Sequence, residues 1–480
     1  MWLARLEREH DNLRAALDWS LEQGEAGHSM ELALRLGGAL GPFWILRGYF
    51  NEGRTFLERA LAASQGVMVS VRAKALMTAA WLALNQDEVH LAATFCEESL
   101  ALSRELGDTA GIADALGGLG AFARMRNDFV AARSLAEEAV SLAREIGDKW
   151  RIASGLHDLA WVCLEQGEYA RARAMYEECL TVFRELGNAL GIAASLHQLA
   201  LVLFVSLGDQ ERVGLLLEES LRLWKQISGE GGIARWSYLA GRVALREGDF
   251  ARARALLEES VVLSKEIGDR WHTARSLSAL ARVEAVQSNY AAAVTLYKES
   301  LALYRQIGNK NIAPVLEGLA EVAVRQGQPA GAARLWGAAA ALRAENRAPL
   351  PPVERADYER AVVRARARLG EQAFTALWAE GQTISPDHVL DSQVPVPSPR
   401  PTSTASPSGA VLPPPSDAGL TSREMDVLRL LAQGLTSTQM AERLVIGVVT
   451  VNFHVRSIYS KLGVTSRAAA TRYAIEHHLV

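Results

Sequence analysis

The stretches RELGD, REIGD and RELGN end at Asp108, Asp148 and Asn188. After one irregular unit, in which KQISGE ends at Glu230, KEIGD and RQIGN end at Asp269 and Asn309. The regular steps are 40 residues, and a fixed period of that size means stacked supersecondary units. A single helical hairpin cannot bury its apolar face, so neighbouring units must cover one another. This repeat constrains the fold more than any other feature of the chain.

Each unit reads as helix, turn, helix. In residues 149–188, IASGLHDLAWVCLEQG carries apolar residues at helical spacing, GEY breaks it, and ARARAMYEECLTVFRELG resumes it. Gly167 and Gly187 suit the left-handed geometry that ends a helix, and Asp148 and Asn188 suit a cap or turn into the next unit. Small residues in the first helix let the pair approach closely. ALGGLG (115–120), GLHDLA (155–160), SLHQLA (195–200) and SLSALA (276–281) share one position, and AEEAV, YEECL, LEESL, LEESV and YKESL share another. This grammar resembles the tetratricopeptide repeat in a longer, 40-residue form. It covers about residues 30–340, with 31–66 as a variant first unit and 310–345 as a decayed last one. The resemblance implies a concave surface for a peptide, protein or small-molecule effector. Tryptophans at helical spacing inside repeats are expected in the core, and the Glu-Glu pairs on a solvated face.

Composition excludes several classes. Arg and Lys number 51 against 55 acids, and 49% of residues are hydrophobic. No apolar run reaches the roughly 18–20 residues of a membrane span, and the charged start, MWLARLEREHDNLRAALDWS, is no signal peptide. Cys96, Cys163 and Cys179 form no C-x-x-C and read as small buried apolar side chains in a reducing compartment. No Ser/His/Asp, Cys/His or metal constellation emerges, and G-x-x-x-x-G-K-[ST] is absent. The expectation is a cytoplasmic protein that is not an enzyme, with no catalytic, cofactor-binding or metal residues and no membrane partner.

The expected organisation is all-α. An N-terminal helical segment (1–30) precedes the solenoid (31–345), and a helical cap follows (346–384). Residues 385–417 hold nine of the fifteen prolines and should form a disordered Pro/Ser-rich linker. Residues 418–480 then read as four helices. Thr421 with Glu424, and Thr436 with Gln439, have capping-box spacing. Gly434 and Gly463 end helices, and Val448, Val451, Val455, Ile458 and Leu462 make one apolar helical stripe. A short turn around 445–447 and the small Ala441 give the second and third helices helix-turn-helix geometry. From Leu420 onward seven cations face four acids, a net +3, whereas the preceding residues carry −7.

From LTSRE through VLRLLAQG, Met440-Ala441-Glu442-Arg443-Leu444, Thr450-Val451, His454 and KLGV with its following SR, the last sixty residues resemble the LuxR-type DNA-binding domain. The resemblance implies double-stranded DNA as partner, bound by a homodimer. Thr436, Ser437 and Thr438 would hold phosphate, and Asn452, Phe453 and Arg456 would face base edges. Lys461 would contact backbone phosphate, and His454 is open between packing and phosphate. Thr450 lies beside this face. Val449 stands where relatives often carry a cation, and Gly447 where they often carry Ser or Thr. The first residues resemble helices that follow the ATP-binding module of large LuxR-family regulators, so the chain reads as the C-terminal part of such a regulator. The reading is a sequence-specific transcription regulator whose repeats act as sensor or interaction platform. The alternative is a repeat scaffold whose terminal module does not read DNA.

Overall fold

The computed structural model describes residues 2–22, 27–47, 49–64, 67–86, 88–227, 229–308 and 312–383, then 422–433, 435, 437–444, 451, 455, 458, 462 and 467–476. Every element among the described residues is a helix. Contacts divide the chain into two compact units, residues 1–389 and 390–480. The linker expected at 385–417 lies outside the described residues.

The first unit is a stack of helical hairpins. The pair Lys149–Glu165 and Tyr169–Glu185 shows why the sequence folds this way. Asp148 caps the first helix by accepting from the backbone N–H of Arg151, and Asn188 does the same for Gly191 in the next unit. Such caps satisfy donors that a helix start leaves orphaned. Gly167 and Gly187 adopt φ of +77° and +63°, which a side chain would strain. The expected close approach also holds: a Cβ on Gly155 would lie 2.7 Å from the side chain of Val140.

The irregular unit has a local cause. The turn between Ala189–Val205 and Gln210–Gln226 spans residues 206–209, whereas its counterpart spans 166–168. Leu207 keeps the left-handed turn position of Asn127 and Gly167, at φ +58°, the added residue follows it, and Asp209 still caps the next helix through Arg212 N–H. Stacking continues because the insertion is confined to a turn.

The shared Glu-Glu-Ser motif has a structural use that charge patterning hides. Its serine is buried and ties the second helix of a unit to the first. Ser99, Ser220 and Ser260, and Ser300 of the Lys-Glu-Ser variant, donate to the carbonyls of Ala73, Ala193, Ala234 and Ala274 at 2.7–3.0 Å. Cys179 makes the same bond to Ala153 at 3.2 Å, and the three cysteines are free and buried as expected.

The last hairpin, Ala313–Arg325 and Pro329–Asn346, is followed by Pro352–Leu369 and Glu371–Thr383. Gly337 and Gly381 let the last helix cross Pro329–Asn346 backbone to backbone: a Cβ on either would lie 2.1 Å from a carbonyl oxygen of the other helix. The segment before Pro352 does more than cover an end. Ala348 is buried beside Ala123, Phe129 and Trp161, and Pro349 packs on Gly167. Glu354 pairs with Arg242 at 2.9 Å and Arg282 at 3.2 Å. The chain thus doubles back across the inner face of repeats that precede it by more than a hundred residues.

Candidate nucleic-acid interface and repeat lumen

The C-terminal module is described chiefly through its core. Helix Ser422–Ala432 packs against Ser437–Leu444 and Arg467–Glu476. Residues 451, 455, 458 and 462 are helical. Val451, Ile458 and Leu462 are buried with Val427, Leu428, Leu431, Met440 and Ala470, and Val455 packs on the same cluster. Positions i, i+4, i+7 and i+11 therefore share one face turned to the core, as the apolar stripe requires; Val448 lies outside the described residues.

Ser437 and Thr438 open the helix Ser437–Leu444. Their side chains lie outside the description, as do Thr436, Val449, Thr450, Asn452, Phe453, His454, Arg456 and Lys461. Thr421, Gly434, Gly447 and Gly463 fall there too. Of the other cations, Arg443 and Arg472 are exposed, and Arg429 stands 3.7 Å from Asp426 on the surface.

A second candidate site lies wholly within the repeats. The first helices of successive units face a lumen, and two chambers open along it. One is closed over by the returning segment, with Pro349 to Glu354 in its wall beside Tyr169, Arg242 and Arg282. The other has a volume of about 560 Å³ and is walled by Arg124, His157, Trp161, Arg235, Trp271 and Arg275, among others. Leu201, Tyr238, Trp271 and Arg275 belong to both.

The second chamber is aromatic and cationic in its detail. The Arg124 guanidinium lies 4.2 Å over the Trp161 ring and that of Arg275 4.5 Å over Trp271, with the two indoles 5.9 Å apart. Stacking of this kind holds a guanidinium flat and leaves its edge for hydrogen bonding. Burial, then the charges of Arg124 and Arg235, push the His157 imidazole down to about 4. Burial and Arg235 push His197 down to about 3. Both rings are neutral near pH 7. Asp158 is pushed up to about 6 by burial, against the pull of Arg124. Asp269 is committed, accepting from the His272 backbone N–H at 2.9 Å and contacting its Nδ1 at 2.6 Å; burial opposes its charge, but His272 holds it well below the usual range.

The expectation that tryptophans are core holds for Trp44, Trp161, Trp224 and Trp336, which are buried. It is corrected for Trp150, which is exposed, and for Trp81 and Trp271, which are half-buried and line the chamber. The repeat register carried a signal for these residues. Stepping by 40, 41 and 40 residues along the first helices gives His157, His197, Tyr238 and Ser278 at one position. The next set is Ser154, Ala194, Arg235 and Arg275, and a third is Trp161, Leu201, Arg242 and Arg282. Core positions keep one chemistry from unit to unit because they pack against similar neighbours. Lumen positions change chemistry because each faces a different part of a shared cavity.

Comparison with known proteins agrees with both halves. Residues 418–474 match the family model for bacterial regulatory proteins of the luxR family. Tetratricopeptide models match residues 146–213, 273–307, and 237–259 with 313–338. A Mycobacterium tuberculosis protein provisionally named as an HTH-type transcriptional regulator is 32% identical over 152 residues, which is 32% of this chain and 16% of that protein. The nitrate/nitrite response regulator protein NarP of Escherichia coli is 54% identical over 52 residues, covering 11% of this chain and 24% of NarP. The transcriptional regulatory protein LiaR of Bacillus subtilis is 44% identical over 61 residues, 13% of this chain and 29% of LiaR. The chain thus matches less than a third of the length of each of these relatives. Among solved structures, the Rap conjugation gene regulator of plasmid pLS20, in complex with the Phr* peptide, superposes with a TM-score of 0.50 at 12% identity. That match covers 59% of this chain and 77% of the regulator, and it shows a shared helical-repeat fold. The matching models describe regulators and repeats rather than catalysts. This chain therefore carries a LuxR-type helix-turn-helix domain behind an array of tetratricopeptide repeats.

Proposed function

We propose that the chain is a sequence-specific DNA-binding transcription regulator, with the repeat array (31–345) and its cap (346–384) acting as sensor or interaction platform for a module at 418–480. The observation that carries this is the burial of Val451, Ile458 and Leu462 against Val427, Leu428 and Met440. With that stripe turned to the core, a continuous helix at about 100° per residue would put positions 449, 453 and 456 roughly 130–170° away from it. Asn452, Phe453 and Arg456 are then candidates for base edges. Arginine reads guanine, asparagine reads adenine, and an apolar side chain meets a thymine methyl. Thr436, Ser437 and Thr438 at the start of the preceding helix suit phosphate, where free backbone N–H groups favour an anion. Thr450, His454 and Lys461 would flank the face toward the backbone, and Val449 would lie on it without a charge to offer. One reading helix has limited affinity, so two copies on two half-sites is the arrangement we propose. A soluble chain acting on DNA in the cytoplasm accords with this reading, and no described helix is long and apolar enough to cross a membrane.

The test is binding of the purified chain to fragments it selects from genomic DNA, followed by fluorescence anisotropy over a salt series. Arg456→Ala should cost about 1–3 kcal/mol and relax preference at one base pair. Lys461→Ala should weaken all sequences alike and lower the salt slope by about one. Failure to bind DNA at low salt, or identical curves for both variants and the parent, would leave the repeat scaffold as the function.

A further inference from the structure

We infer that the open chamber lined by Trp161 and Trp271 binds a small organic anion: a carboxylate carried on a flat apolar body. This rests on reading the repeats as a sensor and names the chemistry they sense. Three independent observations carry it.

First, two cations of the chamber form no ion pair. Arg124 and Arg235 make no hydrogen bond or ion pair with the described residues, although nearly every other arginine of the first helices has an acceptor. Arg151 is paired with Asp114 and Asp148, Arg242 and Arg282 with Glu354, and Arg325 with Glu321. Arg124 and Arg235 instead repel one another. Burial lowers the Arg124 guanidinium below its usual range; the charges of Asp158 and Glu165 favour it without forming an ion pair, and that of Arg235 opposes it. A cation kept in that position gains most from an anion that arrives from outside.

Second, the unpartnered polar atoms at this wall are all nitrogens. Arg124 Nε, His157 Nε2, His197 Nδ1 and Trp224 Nε1 are out of reach of solvent and have no hydrogen-bond partner, and all four residues line the chamber. The Arg124 and Trp224 nitrogens can only donate. A neutral imidazole offers one donor and one acceptor, so the wall as a whole has a surplus of donors. The acids nearby offset it only in part. Asp269 is committed to His272, and Glu230 and Glu266 are exposed; Asp158, raised by burial to about 6, keeps most of its charge near pH 7 and acts on Arg124 without pairing with it.

Third, the space is built for a flat body. Trp161 and Trp271 pack against each other at 5.9 Å and an interplanar angle of 53°, and Trp81 and Trp224 also line the chamber. At about 560 Å³ the chamber falls within the usual range for ligand sites. Planar apolar groups meet ring faces or edges here, while the stacked guanidiniums present donors at their margin.

Three naphthalene probes of one shape separate charge from fit: 1-naphthoate, 1-naphthamide and 1-naphthylmethylamine, titrated calorimetrically into the full chain. Naphthoate should bind at least ten-fold more tightly than the amide, and the amine most weakly. Arg235→Gln and Arg124→Gln should each weaken naphthoate about ten-fold and leave the amide unchanged, while Arg124→Lys keeps part of the preference. Thermal melts establish that each variant is folded. If Arg124→Gln is not, Arg235→Gln, whose side chain is exposed in the chamber, decides alone. Equal affinity for the three probes, no binding of naphthoate at millimolar concentration, or naphthoate binding indifferent to both arginines would overturn the proposal. DNA binding is measured on the same preparations. Selective naphthoate binding without DNA binding upholds the chamber and sinks the regulator reading; DNA binding with no selectivity among probes sinks the chamber alone.

Discussion

Glu354→Gln should release the segment that crosses the lumen while leaving the repeats stacked. Two guanidiniums converge on one oxygen of Glu354, Arg242 at 2.9 Å and Arg282 at 3.2 Å. Burial opposes the charge of Glu354, but Arg282, Arg242 and Arg343 outweigh it and hold the carboxyl below its usual range. Removing one partner of a fully buried pair costs about 3–5 kcal/mol. Here the side chains of Glu354, Arg242 and Arg282 remain 18%, 13% and 30% exposed. The replacing amide also still offers an oxygen. Solvent screening and the surviving hydrogen bond reduce the cost to about 1–3 kcal/mol. The cost should appear as local opening, because a repeat array opens in neighbouring pieces rather than all at once. Hydrogen exchange followed by mass spectrometry reads this directly. Amides of residues 353–369 should exchange about 5- to 150-fold faster, at ten-fold per 1.4 kcal/mol, with residues 109–185 unchanged. Exchange at 353–369 that matches the parent, or a uniform rise along the whole array, would refute Glu354 as the anchor.

Three further outcomes follow from the same structure. Ser260 donates to Ala234 O and shares a 2.8 Å bond with Ser276, both hydroxyls being fully buried; Ser260→Ala should cost about 1–3 kcal/mol because Ser276 is left without that partner. The double replacement with Ser276→Ala should recover part of it in urea denaturation, and strict additivity would count against the shared bond. His197, held at about 3 against about 6.5 unfolded, takes up protons more readily in the unfolded chain. Its stabilising effect is therefore complete above about pH 6.5 and is lost as pH falls toward its folded value. Asp158, raised to about 6, acts oppositely between about 3.8 and 6, where the folded state binds more protons. His197→Asn should flatten the decline in melting temperature between pH 6.5 and 4.5 and Asp158→Asn should steepen it; the reverse order would contradict both assignments. On DNA, Val449→Lys should tighten binding and steepen its salt dependence by about one counterion, whereas an unchanged anisotropy titration would mean that position 449 does not face the duplex.

Much of the fold was legible because its signals are local. Asp148, Asn188 and Asp269 cap helices through residues three positions on, and Gly107, Gly147, Gly187 and Gly268 end them at positive φ. Those choices depend on neighbours within one turn, which a sequence displays. The apolar stripe of the last module was legible for the same reason, since Val451, Ile458 and Leu462 need only helical period to share a face. The motif Glu-Glu-Ser shows where this legibility stops. Its acids advertise a solvated surface, yet the serine turns inward to a carbonyl 26 or 27 residues back. Nothing in the local pattern separates that serine from a surface one.

The sequence by itself determined the repeat, its length, its caps and the identity of the C-terminal module, because period and capping are properties of short segments. Tertiary structure alone decided what the repeats enclose. Arg242 meets Glu354 across 112 residues, and Trp161 meets Trp271 only because the array curves until distant first helices face one lumen. The curvature is the sum of small rotations between neighbouring units. No single unit encodes it, so neither the chamber nor the segment that crosses beside it can be read from one repeat.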